Sequence, residues 1–307
     1  MSILAQTLKE IAIDKAKKRP ELVDYLLEET PVLARTKWIP ASHGLWNVEE
    51  VLKAVDGPSW VDLGAPLPAM QARTGLEQTY VSVLGGEVEV SKDKADQFGG
   101  PSKYFARRER AIIRKAGMDT EAALFTKQWR AAALKKGTKI SCGGTTSNAQ
   151  STIMVVRMSD ELNTGIYDPT CFSSGYLVDI RPINGGQEYH LRTQSGVLGY
   201  GVSYRGRFGW QLLAPERTVC ALVNIEDGHL PTEMQLQEAI SNVRGSAAST
   251  MIIGHPLVLG KVFGSLKLAK LEYSNGDTAL NHAVTSYYDI PIYGSYNLPN
   301  GSEAVVS

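Results

Sequence analysis

Cysteine is scarce in this chain of 307 residues. The three cysteines, Cys142, Cys171 and Cys220, stand far apart, and no C-x-x-C pair occurs. An odd and widely spaced set supports neither a disulfide framework nor a zinc site. We therefore expect reduced thiols and assembly inside a cell.

The chain also lacks net charge, because 32 Lys and Arg residues balance 32 Asp and Glu residues. Proteins that hold nucleic acid by neutralising phosphates need a net basic face, so this balance argues against that class. It also removes the repulsion that keeps copies of a soluble protein apart. The composition therefore permits self-association.

Long apolar runs are missing as well. The longest, Met251–Gly260, contains His255 and Pro256 and is far shorter than the roughly 20 residues that cross a bilayer. The N-terminus reaches Lys9 too early to hold the apolar region of a signal peptide. We expect a soluble protein that is not exported by the secretory route.

Motifs that carry chemistry are absent too. Between Gly254 and Lys261 the glycine spacing is one residue too long for a phosphate loop, and Val262 stands where that loop needs Ser or Thr. The histidines are scattered, with no H-E-x-x-H pair, and no G-x-S-x-G elbow occurs. The sequence therefore predicts no catalytic residue, no cofactor-binding residue and no metal ligand.

The first part of the chain predicts a helix and then a long hairpin. Thr7–Glu29 is charged with one apolar stripe, typical of a helix that packs on its own core or on a neighbouring subunit. Glycine and proline interrupt Ala41–Gly86, which favours a two-stranded excursion. Trp46 and Trp60 on such a hairpin need a surface to pack on, either their own core or a neighbour.

Ser102–Lys136 is the strongest helix signal, with Ser102 as the expected N-cap and Gly137 as the stop. At about 1.5 Å per residue it could reach about 50 Å, which is longer than a small domain needs. Ser151–Ile225 is rich in strand signals. The later elements are predicted as a helix from Pro231, a strand at Thr250–Ile253, a helix at Pro256–Leu268 and a final edge strand at Ser286–Tyr293 containing Pro291.

The order of these elements resembles the major capsid proteins of tailed bacteriophages, with the Hong Kong 97-type fold, and looks closest to the short-tailed-phage family. Five local motifs carry the resemblance in register along the chain: Pro20–Leu33, Ser59–Gly64, Glu89–Asp96, Met154–Arg157 followed by Gly165–Tyr167, and Val223–Ile225. Arg157 departs from the pattern, because an aromatic residue is usual at that position.

The resemblance implies an α+β fold in five parts. These are an N-terminal arm (1–44), an extended loop formed by a long hairpin (45–91), a peripheral domain with a spine helix at about 102–136 and a β-rich part (92–226), an axial domain (227–285) and a returning C-terminal strand (286–307).

The function that the resemblance implies is structural rather than enzymatic. Copies would form hexamers and pentamers that tile an icosahedral shell around double-stranded DNA, held without sequence-specific binding and without a membrane. The expected location is the virion, assembled in the bacterial host's cytoplasm. Portal and scaffolding proteins are expected partners, the latter because no extra region precedes the arm, and a decoration protein is a further candidate.

The candidate residues for contact between subunits fall into two groups. On the hairpin, Trp46 and Trp60 are candidate anchors. Lys53 is the only lysine between Leu45 and Ser91, and some relatives crosslink a hairpin lysine to an asparagine of a neighbour. On the spine helix, a basic cluster is expected to pair at interfaces: Arg107, Arg108, Arg110 and Arg114.

Two alternatives stay open. One is a cellular nanocompartment shell of the same fold, which encloses an enzyme instead of DNA. The other is a cytosolic α+β enzyme with a dispersed site, which would be a compact monomer or small oligomer with a defined pocket.

Overall fold

A computed structural model describes residues 30–63, 66–67, 69–136, 138–169, 178–193, 196–266, 271–273 and 284–307. The helix predicted at Thr7–Glu29, the predicted stop at Gly137 and the cysteine Cys171 lie outside the described residues. Cys142 and Cys220 are free thiols. No helix in the described ranges is long and apolar enough to cross a membrane.

Strands dominate the described part of the chain. They are β1 (Trp38–Pro40), β2 (Trp46–Val55), β3 (Ala72–Tyr80), β4 (Ser82–Ser91), β5 (Lys139–Ser141), β6 (Ser151–Arg157), β7 (Asn163–Tyr167), β8 (Val178–Pro182), β9 (Tyr189–His190), β10 (Leu198–Leu212), β11 (Val219–Ile225), β12 (Thr250–Gly254), β13 (Leu271–Tyr273), β14 (Val284–Tyr287) and β15 (Ile290–Gly294).

The helices are fewer and one of them is long. They are α1 (Lys92–Gln97), α2 (Pro101–Ala123), a π-helical segment (Leu124–Arg130), α3 (Ala131–Lys136), α4 (Pro215–Thr218), α5 (Glu233–Asn242) and α6 (Pro256–Ser265), with short 3-10 turns at Leu33–Arg35 and Ile183–Gly186.

The central sheet has the order β13-β14-β15-β12-β6-β11-β5. Its middle strands β11 and β12 are buried along their whole length, and β6 is buried up to its last residue. Strands with both faces covered read as continuous apolar runs rather than alternating ones. The covering layers are α5 and α6 in one core cluster and the helical segment around Trp129 in another.

A second sheet is organised by the long strand β10. The order is β1-β7-β10-β4, and β8 and β9 also pair with β10. The first half of α2 packs on this sheet, because Tyr104, Phe105 and Ile113 share a buried cluster with Val90 and Val202. The two sheets and their helices confirm the predicted α+β fold.

The predicted spine helix is a continuous helical run from Pro101 to Lys136 made of α2, the π-helical segment and α3. The expected N-cap was wrong by two residues. Gly100 occupies that position with a φ of 101°, Pro101 is the first helical residue, and Ser102 lies inside the helix. Proline suits this first position because its fixed φ is helical and its missing N–H needs no partner there.

The segment predicted as the extended loop, 45–91, divides in two. Strands β2 and β3 form a separate two-stranded ribbon, whereas β4 pairs with β10 from Ser82↔Phe208 to Ser91↔Gly199. The last ten or so residues of the segment therefore belong to the second sheet rather than to a projecting hairpin.

The boundary predicted after residue 226 passes through the central sheet. Strands β6 and β11 precede that boundary and β12 follows it, yet β12 pairs with β6 and all three share one core. Apolar faces of neighbouring strands must be covered together, and these three strands are covered in one core. Strands from both sides of residue 226 therefore belong to the same sheet.

The predicted final strand is a hairpin. Tyr288 and Asp289 have φ values of 50° and 61° and turn the chain between β14 and β15, as in a two-residue type I′ turn. The edge position predicted from Pro291 was wrong, because β15 lies between β14 and β12. Proline is tolerated there because β15 pairs with β12 only from Ile292 onward, after Pro291 has faced Ser286 of β14.

Candidate assembly surfaces

The ribbon of β2 and β3 projects from the second sheet. The two strands pair antiparallel from Trp46↔Tyr80 to Val55↔Ala72, with an irregularity between Leu52 and Ala54. At about 3.3 Å per residue the ribbon extends about 30 Å. Most described side chains of β3 are exposed. A two-stranded ribbon is marginally stable in water unless a further surface supports it.

The base of the ribbon is fixed to the body by a buried amide pair. Asn47 is buried, and its Nδ2 donates to Gln211 Oε1 of β10, while its Oδ1 accepts from the backbone N–H of Ser42 at 3.0 Å. Trp46 is half-buried, and its ring stacks on His43 at 5.6 Å. Within one chain, Trp46 thus packs at the base of the ribbon, and its role as an anchor between subunits stays a prediction.

The described residues of the ribbon tip (56–63, 66–67 and 69–71) present apolar side chains to solvent. Trp60 and Leu63 have relative exposures of 104% and 108%, and Leu67 and Met70 are also exposed. Several large apolar side chains exposed on one short segment are typical of an interaction surface in a soluble protein. The side chain of Lys53, which lies in β2 beside this tip, is outside the described residues.

The basic cluster on the long helix is engaged within its own chain where it is described. The Arg108 guanidinium lies 3.9 Å from the centre of the Tyr104 ring, and Lys115 pairs with Asp119 at 2.7 Å. Arg114 is half-buried and interacts within the chain. The side chains of Arg107 and Arg110 are outside the described residues. Pairing of this cluster at subunit interfaces stays a prediction.

Three carboxylates that the sequence did not single out position backbone segments. Glu121 is buried in the long helix, and its Oε2 accepts the N–H groups of Val32 and Leu33, both at 3.1 Å. Its Oε1 accepts from Ser295 and from Asn297 at 3.3 Å. Burial raises the pKa of Glu121, and these hydrogen bonds oppose that rise.

Glu89 of β4 holds the turn that follows β9. Partial burial raises its pKa, but hydrogen bonds from Thr193, Arg192 and Tyr189 outweigh that effect and lower the pKa to about 2. Glu226 holds the loop that follows β5 in the same way, by accepting hydrogen bonds from it.

Hydrogen bonds from Thr146, Gln150 and Thr145 lower the pKa of Glu226 to about 2. A single carboxylate outside any motif carries no sequence signal for such a role.

The carboxylates described above support loops. Among the described residues no group of three His, Cys, Asp or Glu side chains could hold a metal ion. The described carboxylates with shifted pKa values accept hydrogen bonds from backbone or side-chain donors that they position. The candidate site is therefore the exposed apolar ribbon tip.

Comparison with solved structures identifies the fold. A chain from the structure of bacteriophage epsilon15 matches with a TM-score of 0.56 at 13% identity, covering 89% of this chain and 88% of that one. A chain of the bacteriophage JBD30 capsid matches with a TM-score of 0.54 at 11% identity, covering 86% and 89%. This chain has a phage-capsid fold of the Hong Kong 97 type.

Other comparisons are weaker or negative. A chain of the holo-SrpI encapsulin complex from Synechococcus elongatus PCC 7942 has a TM-score of 0.46 and covers 66% of this chain. No protein-family model matches the sequence, and no curated protein matches it. TM-scores of 0.56 and 0.54 over most of the chain show a shared fold, whereas identities of 13% and 11% leave function open, because one fold can carry many functions.

Proposed function

We propose that this protein is the major capsid protein of a tailed bacteriophage, a structural subunit without catalytic activity. The single observation that carries the proposal is the ribbon tip with fully exposed Trp60 and Leu63 on a chain with the capsid fold. Burial releases about 25 cal/mol per Å² of apolar surface. A second copy that covers the tip would gain this energy.

Each subunit would meet several neighbours through such contacts. Contacts that are weak singly become stable when several form together in a closed shell. Hexamers and pentamers would tile an icosahedral head around double-stranded DNA. Portal and scaffolding proteins, and a decoration protein on the outside, would be the partners. Assembly would take place in the bacterial cytoplasm, and the mature protein would belong to the virion.

The parts of the chain would keep the roles that the resemblance implies, with the bounds adjusted to the elements. The ribbon of β2 and β3 would be the extended loop, and Pro101–Lys136 would be the spine helix. The second sheet would belong to the peripheral domain, and the central sheet to the axial domain. This assignment places β6 and β11 with the axial domain.

The proposal is tested by expressing the full chain in bacteria, with and without the other head genes, and sedimenting the lysate. Negative-stain microscopy should show uniform closed shells in at least one of the two preparations. DNA recovered from nuclease-treated particles supports a phage head. Shells that instead retain a protein cargo would indicate a nanocompartment, and discrete small particles in both preparations would overturn the shell function.

A further inference from the structure

A cationic groove lies where β6 leaves the central sheet and α5 ends. Its volume is about 510 Å³, and its lining includes Lys37, Arg157, Asp160, Arg244, Ser246 and Ser249. The groove is separate from the ribbon tip and from the three positioning carboxylates.

Arg244 has a backbone conformation that is unfavourable for arginine. It follows α5 with a φ of 51°, and the N–H groups of Arg244 and Gly245 close the helix by donating to the carbonyls of Ser241 and Ile240, both at 2.9 Å. Glycine is the usual residue at this left-handed position because it has no Cβ to clash. The described residues offer the Arg244 guanidinium no hydrogen bond and no ion pair, so its side chain does not offset the strain within the chain. Strained non-glycine residues of this kind cluster at functional sites.

Arg157 reaches the same end of the helix. Its Nη1 donates to the carbonyls of Val243 and Arg244, at 3.4 Å each, which are long contacts. A guanidinium has five N–H donors in a planar fork. Several donors therefore remain for a ligand in the groove, beside the second guanidinium of Arg244.

The groove supplies hydroxyl groups as well as charge. Ser246 and Ser249 lie with their Oγ atoms 2.7 Å apart. Of the acidic residues at the rim, Asp160 is paired with Lys37 at 2.9 Å. Three cations, Lys37, Arg157 and Arg244, stand against two carboxylates, Asp160 and Glu161, which leaves one net positive charge. Ser246 and Ser249 hydrogen-bond to each other, so one hydroxyl hydrogen of the pair remains free. Two arginines and this hydroxyl match a single oxyanion.

We propose that this groove binds one carboxylate side chain of a second copy of this chain. The inference rests on the proposed shell function. A single positive charge with two carboxylates at the rim is poorly suited to a polyphosphate backbone, which needs several cations without nearby anions. The chain itself carries as many acidic as basic residues, and Glu50, Asp56 and Asp62 are among its exposed acids. Complementary charges across an interface favour one register of association.

The first test compares Arg244→Gly with Arg217→Ala, which removes an exposed arginine of α4 elsewhere on the surface. The glycine variant should melt at the same temperature as wild type or higher, because it relieves the left-handed strain. Its sedimentable shell fraction should fall about tenfold, and the Arg217 variant should assemble like wild type. A structural role for Arg244 would lower the melting temperature instead, and normal assembly of the Arg244 variant would overturn the proposal.

The second test identifies the occupant. Shells of Arg244→Lys are treated with a zero-length carbodiimide, which joins an amine to a carboxylate that touches it. A dimer band absent from wild-type shells, with position 244 joined to an Asp or Glu peptide by mass spectrometry, is the expected result. No additional dimer would overturn the proposal, and so would Arg244→Gly shells that assemble normally but lose DNA. If wild type itself forms no shells, the proposed function fails and the groove is not at issue.

Discussion

The Oε2 atom of Glu121 accepts the backbone N–H of Leu33 at 3.1 Å, across 88 residues of sequence. The same carboxylate binds the C-terminal segment through Ser295 and Asn297. One buried side chain therefore joins the start of the described chain, the long helix and the end of the central sheet. Its effect on the free energy of unfolding can be measured directly.

Replacing Glu121 with alanine should lower the free energy of unfolding of the unassembled subunit by about 3 kcal/mol. The change leaves the N–H groups of Val32 and Leu33 buried without their acceptor. Urea denaturation measures the loss. Asp119→Ala, two residues earlier on the same helix, removes only an exposed pair with Lys115 and should cost about 0.5 kcal/mol or less. Equal losses in the two variants would contradict the role of Glu121.

Glu121→Gln should change how stability depends on pH. Burial raises the pKa of Glu121 in the folded state, so its favourable contribution is complete below the unfolded pKa of about 4.3. That contribution is lost as pH rises through the higher folded pKa. The glutamine variant has no charge to bury, and the Ser295 hydroxyl can rotate to accept a hydrogen bond from the glutamine amide N–H. The stability of the variant relative to wild type should therefore increase between pH 4 and pH 7. If the free energies of unfolding of the two proteins change in parallel with pH, the raised pKa of Glu121 is refuted.

Glu89→Gln should loosen the turn after β9. The carboxylate accepts the N–H groups of Arg192 at 3.2 Å and Thr193 at 3.0 Å, and the amide keeps only one acceptor oxygen. Trypsin should then cleave after Arg192 faster at pH 7 than in wild type. Glu87→Gln is the matched control, since within the described residues the Glu87 carboxylate accepts from the Arg192 guanidinium, at 2.9 Å, and not from the turn's backbone.

The same carboxylate predicts an effect of acid. The pKa of Glu89 is about 2, below the ordinary value of about 4.3. Its stabilising contribution is present above that ordinary value and is lost as pH falls toward 2. Protection of the Arg192 and Thr193 amides from hydrogen exchange should therefore decrease between pH 5 and pH 2.5. Unchanged protection factors over this pH range would contradict the stabilisation of the turn by ionised Glu89.

Trp60→Ser should separate folding from assembly. Because Trp60 is fully exposed in the single chain, the variant should change the free energy of unfolding by about 0.5 kcal/mol or less. Its shell fraction in a sedimentation assay should fall, since the tip loses its largest apolar group. Trp60→Phe keeps an aromatic anchor and should assemble close to wild type. Normal assembly of the serine variant would remove Trp60 from the candidate contacts.

Asn163→Leu should destabilise the junction of the two sheets by about 3 kcal/mol. The buried Asn163 Oδ1 accepts the indole N–H of Trp210 at 2.8 Å and that of Trp129 at 3.2 Å. Leucine fills similar space but leaves the indole N–H groups of Trp129 and Trp210 without an acceptor. Thermal unfolding measures the effect, with the exposed Asn300→Leu as control. A melting temperature equal to that of the control would show that the indoles find other partners.

Local order along the chain was predictable from sequence because it depends on periodicity and on proline and glycine. The run ending at Lys136, the buried strand at Thr250 and the helix beginning at Pro256 all follow such patterns. The order of these elements also predicted the capsid fold. The exposed tip around Trp60 was predictable as an excursion, since glycine and proline exclude a helix there.

Long-range pairing was decided only by the tertiary structure. The domain boundary predicted after residue 226 assigns β6 and β11 to one domain and β12 to another, whereas their buried faces form one core. Pro291 predicted an edge, but a strand can change partners at a proline and remain inside a sheet. Glu121 and Arg244 carry no motif, because their importance lies in groups distant in sequence or in a single φ angle. Composition and periodicity are local properties, and which buried faces and carboxylates meet depends on the whole chain being folded.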